Sequence, residues 1–223
     1  MKLVLFDCDG TLVDSQNVIV TAMTRAFQAL DMPVPPRPAL LGVVGLSLVT
    51  AMRRLGGDAP GFPAEELAEH YKHAFHAQRA EPGFSEPLYG GIAELLDHLA
   101  ARDDVLLGLA TGKSQRGVAA VLSHNGWQDR FVTIQTADTA PSKPHPAMVL
   151  QAMAETGAGA ADTVMIGDTS YDMVMARAAG VHAVGVTWGY HTSDLLEESG
   201  AQHLVRHAGA LVPTLQTIWD MPR

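Results

Sequence analysis

The chain has 223 residues, of which 47% are hydrophobic and 17% charged, and its formal net charge is −9. That balance supplies a core and excludes a disordered chain. The acidity argues against a nucleic-acid binder and leaves any anionic ligand in need of local positive charge.

The first predicted element is a strand, Lys2–Phe6. Its apolar run is too short for a signal peptide, and no later run reaches the length of a membrane span. Cys8 is the one cysteine, so an internal disulfide is impossible and a reducing compartment fits. These features predict a soluble, cytoplasmic protein with no membrane partner.

Directly after the strand comes Asp7-Cys8-Asp9-Gly10-Thr11. An Asp-Gly pair here also suits a plain hairpin turn. Two carboxylates leaving a strand end two residues apart suit different work: one attacks phosphorus and the other handles the leaving group's proton. Strand alternation should point Cys8 away from both.

Helical patterns follow over Ser15–Asp31, Gly45–Leu55 and Ala64–Arg79, with the breaker cluster Pro33–Pro38 between the first two. The third opens on Pro63-Ala64-Glu65-Glu66, with acids in its first turn. Further strands are predicted at Val105–Ala110, Phe131–Gln135, Thr163–Gly167 and His182–Val186, alternating with helices. That order implies βαβ units and a Rossmann-like, doubly wound parallel sheet. Roughly a hundred residues separate the first two strands, far more than one crossover helix needs. The division predicted is an α/β core domain of residues 1–14 and 88–223, with residues 15–87 inserted as a helical cap domain. The turn-rich Glu81-Pro82-Gly83 and Tyr89-Gly90-Gly91 mark its return.

Three later motifs follow strands of the sheet. Thr111-Gly112 closes the second, Lys143 lies in the loop Pro141-Ser142-Lys143-Pro144, and Gly167-Asp168-Thr169-Ser170-Tyr171-Asp172 follows the fourth. Each alone is ordinary, since Thr-Gly or Asp168 suits a helix cap and Lys143 a surface. In an open parallel sheet these ends share the edge where ligands bind. Together they assemble a nucleophile, an acid, phosphate donors, a cation and metal carboxylates.

On these residues the chain resembles the haloacid dehalogenase-like hydrolase superfamily, in its phosphoglycolate phosphatase-like branch. The resemblance runs through LVLFDCDGTLVDS at Leu3–Ser15, ATGK at Ala110–Lys113, SKPHP at Ser142–Pro146, MIGDTSYD at Met165–Asp172, ARAAG at Ala176–Gly180 and GVTWGY at Gly185–Tyr190. It implies a magnesium-dependent phosphatase acting on a small phosphorylated metabolite through an aspartyl-phosphate. Asp7 is then nucleophile and Mg2+ ligand. Asp9 is general acid and base, its backbone carbonyl also on the metal. Thr111 and Gly112 bind the phosphoryl group, and Lys143 neutralises charge. Asp168 ligates the metal, and Asp172 supports it through water or a contact to Lys143. The three aspartates could not all stay ionised side by side without a cation. Magnesium, which takes oxygen ligands and works with substrate phosphate, suits them.

The resemblance leaves open a sugar-phosphate mutase of the β-phosphoglucomutase kind, a pyrophosphatase or a nucleotidase, and it is silent on oligomeric state. A dehalogenase would not need Asp9, and a phosphonate hydrolase needs a cap lysine, for which the cap offers only Lys72. A signalling receiver module would place its acidic pair and phosphorylated aspartate on different strands.

The loop Gly42-Val43-Val44-Gly45 resembles the cap loop that faces the active site in this family. Arg53, Arg54 and Arg79 are candidates for a second anionic group of the substrate. Lys113 and Arg116 are expected at the solvated surface, with reach toward an anion. Trp188 and Tyr190 are expected to pack at or close over the sheet edge. His70, His73 and His76 lack the four-residue step of helical zinc motifs, so a solvated helix face is expected. The chain departs from the branch at Tyr89-Gly90-Gly91, where a proline is common, and at Gln202-His203, near the last strand.

Overall fold

The computed structural model describes residues 1–57 and 59–220. Its elements, in chain order, begin with β1 (Lys2–Phe6), α1 (Gln16–Ala29), α2 (Arg37–Leu41), α3 (Leu48–Leu55), α4 (Ala64–Arg79) and α5 (Ile92–Ala100). Then come β2 (Val105–Thr111), α6 (Gln115–Asn125), β3 (Thr133–Thr136), α7 (Ala147–Thr156) and β4 (Thr163–Gly167). The chain closes with α8 (Ser170–Ala178), β5 (His182–Val186), α9 (Ser193–Glu198), β6 (His203–Val205) and α10 (Leu211–Asp220). Among the described residues no helix is long and apolar enough to cross a membrane.

All six strands form one parallel sheet in the order β3-β2-β1-β4-β5-β6. Helices cover both faces, which is why β1 reads as an unbroken apolar run: Leu3, Val4, Leu5 and Phe6 are all fully buried. The two-residue period sorts their side chains. Val4, Phe6 and Cys8 pack with α5, α6 and α10, whereas Leu3 and Leu5 pack with α7 and α8. Cys8 therefore lies in the opposite core from the face its neighbours use, as alternation requires.

The chain runs outward from β1 through β2 to β3, then returns to build β4 on the other flank of β1. That reversal opens a crevice at the carboxyl ends of the strands. Phe6 stands level with Leu109 of β2 and Ile166 of β4, so Asp7, Thr111 and Asp168 emerge at one edge.

The helical insertion α1–α4 has a core of its own, including Ile19, Met23, Phe27, Leu40, Met52 and Leu67. Its two connections to the sheet run side by side. Val13 and Leu88 form an antiparallel bridge, the Asp14 amide donates to Pro87 at 2.8 Å, and the Tyr89 amide donates to Leu12 at 3.0 Å.

The structure departs from the sequence reading in places, by one or two residues at the ends of α1, β2 and β3 and by more elsewhere. Hydropathy starts the third strand at Phe131, yet β3 begins at Thr133, and Phe131 instead packs edge-on against Trp127. Helical periodicity starts at Gly45, yet α3 begins at Leu48, leaving Gly45–Ser47 as loop. A short helix, α2, occupies Arg37–Leu41 behind the proline cluster; Pro38 at its second position lacks only an amide that the first turn leaves unpaired anyway.

Candidate active site

Five polar side chains meet at the carboxyl edge of the sheet with almost no solvent contact: Asp7, Thr111, Lys143, Asp168 and Asp172 are each at most 1% exposed. Burial at this level demands partners. Lys143 Nζ lies 3.1 Å from Asp7 Oδ1 and 2.5 Å from Asp172 Oδ1. Its loop carries a cis peptide bond between Lys143 and Pro144. Asp7 Oδ1 also accepts from the Cys8 amide at 2.7 Å.

Asp168 is held from both sides. Thr11 Oγ1 donates to one carboxylate oxygen at 2.8 Å, and the Tyr190 amide donates to the other at 2.9 Å. Trp188 Nε1 donates to the Thr11 carbonyl at 3.1 Å, so the Gly185–Tyr190 segment braces the first motif. Gly10 is required here: φ is +87°, and a Cβ would sit 2.2 Å from Asp168 Oδ2. Asp172 Oδ2 accepts from the Thr169 hydroxyl and amide at 2.7 and 3.1 Å, a capping box that opens α8. The caps of α6 and α8 are thus Ser114 and Thr169, and neither Thr111 nor Asp168 serves as one.

One ammonium faces three buried carboxylates. Burial, reinforced by Asp172 and opposed by Lys143, pushes the Asp7 carboxyl up to about 7. Burial, then Asp7 and Asp172, drives Asp168 well above the carboxylate range. Burial alone would lower Lys143, but Asp172 and Asp7 outweigh it and hold the ammonium above the ordinary lysine value. The cluster is therefore short of positive charge. One ligand oxygen from each of Asp7, Asp168 and Asp172 can be chosen so that all lie within 4.8 Å of one another. Among the described residues, Asp7 Oδ2 is buried with no hydrogen-bond partner. Hard oxygen donors, a charge deficit and an orphaned carboxylate oxygen fit a divalent cation such as magnesium.

Asp9 turns away from this cluster. Its Oδ1 accepts from Ser15 Oγ at 2.6 Å and from Lys113 Nζ at 2.8 Å, and Ser15 Oγ in turn lies 2.9 Å from Tyr190 Oη. Lys113 corrects the sequence reading. It is not a solvated surface lysine: its side chain is 8% exposed and also reaches Glu86 Oε1 at 2.9 Å. Burial alone would lower it, but its neighbours, Asp9 foremost and Glu86 among them, hold it above the usual lysine value. The aromatic ring of Phe75 lies 5.4 Å from its Nζ. Position beside Thr111-Gly112 was the signal for Lys113, whereas nothing in the local sequence marks Glu86. Tyr190 does more than pack, because it links Ser15 to the Asp168 brace.

A cavity of about 500 Å³ opens above Asp7, Asp9, Thr111 and Gly112. Its other wall comes from the insertion: Ile19, Met23, Val44, Leu46, Tyr71 and Phe75. The loop through Gly42–Ser47 seats directly on the site. A Cβ on Gly112 would lie 2.5 Å from the Gly45 carbonyl oxygen and 2.7 Å from that of Leu46. The Ser47 amide donates to Ser142 Oγ at 2.8 Å, and Tyr171 Oη donates to the Gly42 carbonyl at 2.9 Å. His191 spans the same gap, its Nδ1 accepting from the Ser170 amide at 3.0 Å while Nε2 lies 3.3 Å from the Gly42 carbonyl.

The sequence-expected arginines part company. Arg53 pairs with Glu65 and, like Arg54, does not line the cavity; Arg79 does line it, with its guanidinium 5.9 Å from the Phe84 ring centre. Arg116 also lines the cavity and is exposed, 3.2 Å from His76 Nδ1.

Comparison with known proteins gives the same architecture a family. Residues 4–186 match the family described as haloacid dehalogenase-like hydrolase. The chain is 38% identical over 211 residues to the "Probable phosphatase IndB" of Dickeya dadantii, covering 91% of this chain and 88% of that one. It is 32% identical to the tyrosine-protein kinase PtkA of Mycobacterium tuberculosis, covering 94% of this chain and 70% of that one. Identity to the phosphoglycolate phosphatase of Pseudomonas putida is 31%, covering 95% and 79%. Among solved structures, a hydrolase from Pseudomonas syringae superposes with a TM-score of 0.84 at 26% identity, covering 98% of this chain and 99% of that one.

Proposed function

The chain belongs to the haloacid dehalogenase-like hydrolases, in their phosphoglycolate phosphatase-like branch, and from that premise we propose that it is a magnesium-dependent phosphatase of small phosphomonoesters working through a phosphorylated Asp7. The observation that carries this reading is the unpartnered oxygen of Asp7, in a carboxylate that lines the cavity beside Thr111 and Gly112.

The carboxylates of Asp7, Asp168 and Asp172, with the backbone carbonyl of Asp9, would hold the metal. Magnesium supplies the positive charge that lets a phosphate dianion approach an anionic nucleophile. Thr111 and the backbone at Gly112 orient the phosphoryl group in line with Asp7, and Lys143 takes up charge developing on the equatorial oxygens. The phosphorus–ester oxygen bond breaks as the Asp7–phosphorus bond forms, and Asp9 gives its proton to the departing alkoxide. Asp9, then a carboxylate, takes a proton from the water that attacks the aspartyl-phosphate and frees inorganic phosphate. Ser15, Tyr190 and Lys113 hold Asp9 on the leaving-group side. Residues 15–87 act in this reading as a lid domain over a core of residues 1–14 and 88–223, excluding bulk water while the acyl phosphate exists.

Purified protein is expected to release phosphate from an aryl phosphate with added magnesium, to stop with chelator, and to lose turnover in Asp7→Asn while keeping its fold by circular dichroism. Metal-independent turnover, or an Asp7→Asn variant with substantial activity, overturns the assignment.

A further inference from the structure

The phosphate end of the cavity is acidic and metal-fitting, while the end that would take the alcohol has a different chemistry. Its wall is hydrocarbon and aromatic: Ile19 and Met23 of α1, Val44 and Leu46 of the loop, Tyr71 and Phe75 of α4. The cation that touches Asp9, and so stands where the departing oxygen would be protonated, is Lys113. Its charge is already committed to two carboxylates, Asp9 at 2.8 Å and Glu86 at 2.9 Å, both largely buried. The remaining basic groups of the wall are Lys72, His76, Arg79 and Arg116. Lys72, His76 and Arg116 are exposed, Lys72 is paired to Glu69 at 2.7 Å, and Arg116 bonds His76, while Arg79 is half-buried with its guanidinium 5.9 Å from the Phe84 ring centre.

Resting on the phosphatase reading above, we propose that the site takes phosphomonoesters of neutral, apolar alcohols, ring-bearing or branched, and discriminates against phosphorylated hydroxy acids. A carboxylate one carbon from the ester oxygen would be placed against these apolar walls and beside Lys113, whose ammonium is already paired to Glu86 at 2.9 Å. Desolvating an anion against hydrocarbon is costly unless a cation pairs it. A hydrocarbon body gains burial at the same place. The cavity volume of about 500 Å³ falls within the roughly 300–1,000 Å³ usual for small-molecule sites and exceeds what a two-carbon acid needs.

The test is steady-state kinetics on the full chain with saturating magnesium, comparing benzyl phosphate, cyclohexylmethyl phosphate, 2-phosphoglycolate and glucose 6-phosphate. The first two are expected to exceed the last two in kcat/KM by about tenfold or more. A phosphoglycolate or glucose 6-phosphate value equal to or above the apolar esters overturns the substrate inference and leaves the phosphatase reading standing. Failure of all four esters in a folded, magnesium-loaded sample overturns the phosphatase reading and the inference with it. Glu86→Gln frees Lys113 from one carboxylate, so kcat/KM for phosphoglycolate is expected to rise relative to benzyl phosphate. An unchanged or widened ratio refutes the role assigned to the Lys113–Glu86 pair.

Discussion

Replacing Lys143 with methionine keeps the length of the side chain and removes the one ammonium among Asp7, Asp168 and Asp172. The lysine is 1% exposed and contacts two of those carboxylates, at 3.1 and 2.5 Å. Breaking a buried ion pair by deleting one partner costs about 3–5 kcal/mol, because the other charge stays buried without compensation. Here the loss is limited from above. Asp7 already sits at about 7, chiefly through burial, and without Lys143 it takes up a proton near neutrality instead of remaining ionised. The lower end, about 3 kcal/mol, is therefore expected in metal-free protein, a fall of roughly 6–12 °C in Tm for a chain of this size. Thermal unfolding in EDTA and in saturating magnesium measures it. Magnesium should raise the Tm of the variant more than that of the parent, since a dication substitutes for the missing charge. A shift of less than about 2 °C in EDTA, or equal rescue of both proteins, would refute the charge-deficit argument.

Gly112→Ala should cut kcat/KM by about ten- to a hundredfold and lower Tm as well, because the new Cβ would meet the Gly45 carbonyl at 2.5 Å and lift the loop off the site. Activity within twofold of the parent would show that this contact is dispensable. Metal-free protein should be less stable near pH 8 than near pH 5. The folded chain keeps a proton on Asp7 up to about 7 that the unfolded chain releases near the ordinary value of 3.8, so stability falls as pH rises through that window. Denaturant midpoints in EDTA check this, and saturating magnesium should flatten the slope. Midpoints that rise with pH in EDTA would contradict it.

How much was legible in the sequence followed from how local the cause is. The bounds of β1, β4 and β5 are written in unbroken apolar runs, because strands covered on both faces have no polar side. The meeting of Asp7, Thr111, Lys143 and Asp168 was legible for a topological reason: motifs that follow parallel strands must share an edge. Lys113 was not, because its burial depends on Phe75 and Glu86, which come from the far end of the insertion. Gly45–Ser47 reads as helix because its apolar neighbours continue the helical period, yet the segment is spent on contacts to Gly112 and Ser142. Nor does periodicity separate Arg79, which lines the cavity, from Arg53, which pairs with Glu65 outside it.

The Gly42–Ser47 loop meets the core at Gly112, Ser142 and Tyr171, each one peptide unit from a residue proposed to handle phosphate or metal, and also at His191. Gly112 follows Thr111, Ser142 precedes Lys143, and Tyr171 precedes Asp172. Three of these four contacts thus share a short segment with the proposed reaction centre. If Thr111, Lys143 or Asp172 shifts as phosphate leaves in the proposed reaction, the shift reaches the loop through one peptide unit. In the proposed reaction, release of the loop should therefore follow phosphate departure closely.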